Sequence, residues 1–296
     1  MKRTLIILAV LLLVIAGCTS TTQPSTRSYR TGNSALEMRV LQQGVTDVYE
    51  GDPFEVLIEF FNRGTTDIAN GEFFVSGFDL NFMRLSLDPK FINIPGKSQF
   101  DPEGRNSQIL VIRGTNVRLP ANSDRFDQNI KVTACYDYTS FATADICVDP
   151  DPNGRRVTRQ TCTMTPVSPG PQGHPVVVTR VEPIVSRNDF RLNIEFANQG
   201  GGIVYDRSLT PQQCFMALDA FQDKDRVHVV RVDFGGRALT CTPSGAIRLI
   251  DGRGRVSCTC TNCIAEYMDA FRTQVSIELD YGYRNEITKS VRVLEG

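Results

Sequence analysis

Tryptophan is absent from this sequence of 296 residues, and histidine occurs only at positions 174 and 228. A His-rich metal site is therefore excluded, and acid–base chemistry through imidazole has two candidates, His174 and His228. Neither sign of charge dominates: 32 Lys+Arg face 33 Asp+Glu, for a net charge of −1. That balance gives no general attraction to nucleic acid, so no nucleic-acid partner is expected. The motifs G-x-S-x-G, G-x-x-x-x-G-K-[ST] and H-E-x-x-H are missing, which removes the commonest hydrolase, P-loop and zinc-protease readings. With 41% hydrophobic and 22% charged residues, the chain is neither mainly disordered nor, outside its N-terminus, a multispanning membrane protein.

What is present begins at residue 1. Lys2 and Arg3 precede an unbroken apolar run from Leu5 to Ala16. The run is short for a membrane span but suits the apolar region of a signal peptide. It ends in Ile15-Ala16-Gly17-Cys18. This resembles the lipobox of prokaryotic lipoproteins. The resemblance implies that Cys18 is lipidated and becomes the first residue after cleavage; the other reading is a plain secretory signal or an uncleaved anchor. Residues 1–18 are thus expected to be the signal and residues 19–34 a tether. Between Thr19 and Asn33, eight of fifteen residues are Ser or Thr and none is aliphatic, the composition of a solvated spacer. The expected address is the extracytoplasmic face of the cell membrane, held by lipid.

The rest of the chain contains an internal repeat. FEVLIEFFNRG (54–64) and FRLNIEFANQG (190–200) share six of eleven positions at an offset of 136. In both, apolar residues alternate, as on a strand with one face in a core, and Asn-x-Gly then predicts a turn. Tyr136 and Tyr138 match Tyr281 and Tyr283 at an offset of 145. Each of these later segments reads as a strand, a short polar turn and a returning strand. The two units span 35–148 and 176–296, with a Pro/Gly-rich linker over 149–175.

Short alternating strands with regular turn signals predict an all-β protein of two tandem immunoglobulin-like β-sandwiches forming an elongated rod. The strand closing in Asn-x-Gly resembles the Ig-like adhesion-related modules of bacterial and archaeal surface proteins. Helix signals are few: Pro211–Phe221, capped by Thr210 and Gln213, and Ile264–Phe271. Both read as insertions in the second unit.

With Cys18 assigned to lipid, eight cysteines remain: Cys135, Cys147, Cys162, Cys214, Cys241, Cys258, Cys260 and Cys263. An even number in an exported chain predicts disulfides. Cys135–Cys147 across the first closing hairpin, Cys241 with Cys258 or Cys260, and Cys162 tied to the second unit are the expected bonds. The run CTCTNC with Cys241 could instead supply four thiolates to zinc, or hold a redox-active pair. Asp149, Asp151, Asn153 and Gly154 spell the first half of an EF-hand-like loop, a candidate calcium site. Its twelfth position is Gln160 rather than the bidentate Glu, so a polar turn is the stronger reading. Arg155, Arg156 and Arg159 read as a solvated basic turn.

No cofactor and no catalytic activity are expected. The sequence predicts a membrane-anchored binding, adhesion or envelope-structural module engaging a surface protein, a glycan or an envelope component. The alternative is an accessory or enzymatic subunit of an envelope complex that uses the Cys-rich second unit as a redox or metal site.

Overall fold

The computed structural model describes residues 28–296 except 43, 152–153, 155–158, 187–188 and 265–267. Cys18, Asn153, Arg155, Arg156 and residues 19–27 of the tether lie outside the described residues. Among those described, the protein is all-β, with one short helix.

The first half contributes β1 (Leu36–Val40), β2 (Thr46–Tyr49), β3 (Phe54–Asn62), β4 (Ile68–Ser76), β5 (Arg84–Asp88), β6 (Phe91–Ile94), β7 (Ser107–Thr115) and β8 (Arg125–Val148). The second contributes β9 (Val176–Ser186), β10 (Asp189–Asn198), β11 (Ile203–Tyr205), helix α1 (Pro211–Met216) and β12 (Arg226–Phe234). There follow β13 (Arg237–Ala238), β14 (Thr240–Thr242), β15 (Ala246–Arg248), β16 (Arg253–Cys260) and β17 (Phe271–Leu294).

Two four-stranded sheets, β1-β3-β7-β5 and β14-β16-β10-β9, belong one to each half. Both stack on one face of a nine-stranded sheet whose main path is β13-β12-β17-β8-β4-β6. Phe60 meets Phe73 edge-to-face at 4.9 Å across the first interface, and Phe190 stacks on Phe234 at 4.0 Å across the second. The repeated motif therefore occupies equivalent strands, β3 and β10. Phe54, Val56, Ile58 and Phe60 are buried, as are Phe190, Leu192, Ile194 and Phe196. At an offset of 136 the two segments hold matching places in their sheets, and cis peptides before Pro89 and Pro243 likewise follow β5 and β14, here at an offset of 154.

The closing hairpins are where expectation fails. Residues 125–148 and 271–294 each form one strand of 24 residues, and the two pair antiparallel from Phe271↔Val148 to Leu294↔Arg125. At about 3.3 Å per residue each strand runs roughly 80 Å. Inward residues are even-numbered along β8 (Ile130, Val132, Tyr136, Tyr138, Ala142, Ile146) and odd-numbered along β17 (Val275, Ile277, Tyr281, Tyr283, Val291, Val293). Each strand begins in its own lobe, where β4 flanks β8 and β12 flanks β17. Each then continues into the other lobe as an added strand. The end of β17 even takes a parallel partner, β2, in the first lobe. The halves are joined by reciprocal strand exchange within one chain, not as beads on a linker.

The described end of the linker is itself packed. Gln172 imitates a strand neighbour, donating to Val178 O at 2.8 Å and accepting from Val178 N at 2.9 Å. Gly173 O accepts from Thr65 N.

The cysteines pair as Cys135–Cys214, Cys147–Cys162, Cys241–Cys258 and Cys260–Cys263. Cys241 thus takes the first of its two expected partners. Cys135–Cys147 is corrected: twelve residues apart on one extended strand, they lie roughly 40 Å from each other, far beyond bonding reach. Cys162 bonds to Cys147 of the first unit, and not to the second unit as expected; the bond sits against Ala270 in a small buried cluster. Helix α1 forms with the expected capping box but ends at Met216. The Asp219 carboxylate then accepts from Phe221 N and Gln222 N at 2.8 Å and turns the backbone. Residues 265–267 of the second candidate helix lie outside the described residues; of the rest, 264 and 268–270 are irregular and Phe271 already begins β17.

Candidate functional site

The Asn-x-Gly turns converge on the point where the strands exchange. Asn62 Nδ2 donates to Thr66 O at 2.7 Å, and Gly64 N donates to Asn62 Oδ1 at 3.0 Å. Asn198 repeats both bonds, to Gly202 O at 2.8 Å and from Gly200 N at 3.2 Å. The turns present Thr66 N to Tyr138 Oη and Gly202 N to Tyr283 Oη. Tyr136, Tyr138, Tyr281 and Tyr283 are all buried, with neighbouring rings 6.0–6.1 Å apart. Burial pushes all four phenols up, Tyr283 to about 12. They are neutral hydrogen-bonding core, with no poised acid or base among them.

His174 joins the same core. It is 1% exposed, lies edge-to-face with Tyr138, and sits 3.2 Å from Thr65 Oγ1 through Nε2. Burial, with Arg30 nearby, lowers its pKa to about 4. The other histidine, His228 on β12, places Nε2 3.2 Å from Asp206 Oδ1. Ser208 Oγ donates to that same oxygen at 2.7 Å. Both groups hang on one carboxylate oxygen, so Ser208 and His228 each bond to Asp206 rather than to one another. Asp149 accepts from Asp151 N at 2.9 Å, which makes a capped polar turn of the described part of the calcium candidate. No cluster of potential metal ligands occurs among the described residues.

The two lobes differ beside the Asn-x-Gly turn. In the first lobe, residues 95–106 connect β6 to β7 and fold back over the end of β3. Lys97 N donates to Gly64 O, and Arg63 Nη1 donates to Glu103 O and Gly104 O at 3.0 Å. Lys97 Nζ reaches Thr31 O at 2.6 Å. In the second lobe the same connection is only residues 249–252. Ala197 stands where the first lobe has Phe61, and Gln199 where it has Arg63. An open cleft of about 860 Å³ results, lined by Thr179, Glu195, Ala197, Gln199, Arg248 and Arg253 among others.

The charge in this cleft is unevenly committed. Arg255 is ion-paired with Glu195. The Arg248 guanidinium lies 4.9 Å from the Phe221 ring, and Phe221 is 69% exposed. Arg253 has no ion pair among the described residues. The lining includes no His, Cys or Ser. Sequence reading missed this cleft, because its signal is a comparison between repeats rather than a motif: a shortened loop, and Phe and Arg replaced by Ala and Gln.

The insertion of the second lobe, residues 206–225, crosses to the first. Cys135–Cys214 ties α1 to β8, and Phe215 stacks on Phe74 of β4 at 4.6 Å.

No protein-family model matches the chain, and no curated protein matches it either. Among solved structures, the SrpA adhesin from Streptococcus sanguinis is similar at 21% identity over 34% of this chain and 50% of that one, with a TM-score of 0.23. The secreted serine protease VesC from Vibrio cholerae is similar at 10% identity over 86% and 51%, with a TM-score of 0.24. The sialic acid binding region of a Streptococcus sanguinis SK1 adhesin, bound to 3'sLn, is similar at 9% identity over 90% and 78%, with a TM-score of 0.23. The chain spans about half the length of the first two. Likenesses this slight assign neither a fold family nor an activity.

Proposed function

We propose that this protein is a non-catalytic cell-surface lipoprotein, held to the membrane through Cys18, that binds a surface component with the cleft of its second lobe. The lobes are read as Ig-like sandwiches, each completed by the last strand of the other. The observation that carries the binding role is the difference between the repeats. One fold, present twice, fills this position with its own loop in the first lobe and leaves it open and arginine-lined in the second. An open polar cleft with an exposed aromatic beside it suits contact with a glycan or with a protein surface. Its lining offers guanidinium and carboxylate groups for recognition, without the nucleophile and base that turnover requires.

The test is binding of the full-length protein, in detergent, to envelope fractions and to a glycan array. Arg253→Glu is expected to weaken binding about tenfold or more, since a charge-assisted hydrogen bond is worth roughly 1.5–3 kcal/mol. Arg113→Glu, on the first lobe, is expected to leave it unchanged. Equal binding by wild type and Arg253→Glu rejects the cleft. The anchor is checked separately: Cys18→Ala should abolish lipid mass on the N-terminal peptide and release the protein or leave its signal unprocessed.

A further inference from the structure

The four disulfides are not equivalent. Cys135–Cys214, Cys241–Cys258 and Cys147–Cys162 close 79, 17 and 15 residues of chain, whereas Cys260–Cys263 closes 3. In the loop-closure view, the constraint a bond places on the unfolded chain grows with the length enclosed. Cys260–Cys263 therefore adds least to folding. It is also the pair in which neither cysteine is buried. Cys135, Cys214 and Cys258 are fully buried, Cys147 and Cys162 are 5% and 9% exposed, and Cys241 is half-buried but bonded to the fully buried Cys258. Cys260 and Cys263 are both half-buried and flank the exposed Thr261 and Asn262.

The bond lies at the very end of β16, where Cys260 is the last residue paired with β10, opposite Phe190. Past it the chain turns through Asn262, whose φ is +53° and whose N–H donates to Asp189 Oδ1 at 3.2 Å. Ile264 then enters the core at 2% exposure. The pair thus staples a surface turn, whereas the other three bonds join separate elements.

We propose that Cys260–Cys263 is a thiol–disulfide exchange site, reduced by a dithiol oxidoreductase while the other three bonds stay oxidised. A thiolate of the dithiol attacks one sulfur of the pair. The Cys260–Cys263 bond breaks, a mixed disulfide forms, and the other cysteine leaves as a thiolate that takes a proton from water. The second thiol of the reductant then attacks the mixed disulfide, releasing the remaining cysteine and ending as the reductant's own disulfide. Two electrons and two protons pass from dithiol to pair. Exposure and a C-x-x-C spacing favour attack at this bond over buried ones. Reduction would free the turn at 261–263 and leave the exchanged strands locked.

The experiment is graded reduction of the folded full-length protein with dithiothreitol, followed by alkylation and peptide mapping. Cys260 and Cys263 are expected to label at a reductant concentration at least about tenfold below that needed for the other six. A thioredoxin-type protein lacking its resolving cysteine should be trapped on this pair in wild type and not in the Cys260→Ser, Cys263→Ser double variant. Simultaneous labelling of all eight, or earlier labelling of another pair, overturns the proposal. So does trapping of the oxidoreductase on a different cysteine. Retained far-UV circular dichroism in the double variant shows that its failure to trap is not a failure to fold.

Discussion

Four tyrosine hydroxyls and one imidazole meet at the centre of the molecule, and each has its partner. Tyr136 Oη accepts from Leu36 N at 3.1 Å and donates to Asn285 Oδ1 at 2.6 Å. Its repeat mate Tyr281 accepts from Val176 N at 3.3 Å and is hydrogen-bonded to Ser140 Oγ at 2.6 Å. Gly64 and Gly200 have no alternative in their turns, since an added Cβ would run into the hydroxyls of Tyr138 and Tyr283. His174 is the member of this centre that titrates in an accessible range. Its folded pKa, about 4, lies below the ordinary 6.5. Above pH 6.5 the imidazole is neutral in both folded and unfolded chains, so its contribution to stability is fully present. As pH falls from about 6.5 to about 4 the unfolded chain binds a proton that the folded one refuses, and stability drops. The loss approaches roughly 3 kcal/mol at the acid end. His174→Gln should flatten the stability curve between pH 7 and pH 4 in urea melts. A variant curve parallel to that of wild type would contradict this account.

At the scale of elements, the crossing insertion depends on one bond. Cys135 points to the outer face of the central sheet, opposite the core, and Cys214 meets it from α1. Arg284 adds a hydrogen bond to Cys214 O at 3.0 Å. Replacing both cysteines by alanine removes a closure of 79 residues and should cost about 4 kcal/mol. Proteolysis within 206–225 should rise in parallel. A loss under about 1 kcal/mol with unchanged cleavage would show that packing of Phe215 on Phe74 suffices alone.

Which elements could be read in advance follows from their environment. β3 and β10 bury one face against a sheet, so period two is plain in their residues. The middle of β8, Thr139 to Asp145, carries Ser, Thr, Ala and Asp around a single Phe141 and reads as a turn. Its Ser140, Ala142 and Ala144 face inward, where small side chains pack beneath the other half. Nothing within one repeat states that the neighbouring strand comes from the second. The cysteine pairings failed for that same reason, because hairpin geometry was assumed where the chain runs straight.

For the whole molecule, strand exchange decides how it unfolds. Separate sandwiches would melt separately, as domains with small interfaces do. Here each core contains the last strand of the other half: Ile146 and Val148 from β8 on one side, Val291 and Val293 from β17 on the other. Opening either lobe strips an inner strand from both. Ile58 and Ile194 are equivalent positions of the repeat, each fully buried, one per lobe. Ile58→Ala and Ile194→Ala should each cost about 2–5 kcal/mol. In independent lobes each change would lower one transition and leave the other in place. In exchanged lobes both changes lower one shared transition, by similar amounts, and amides along β8 and β17 exchange most slowly. Calorimetry of the oxidised protein distinguishes the cases. Two resolved transitions, each moved by only one substitution, would show that the paired long strands do not couple the lobes.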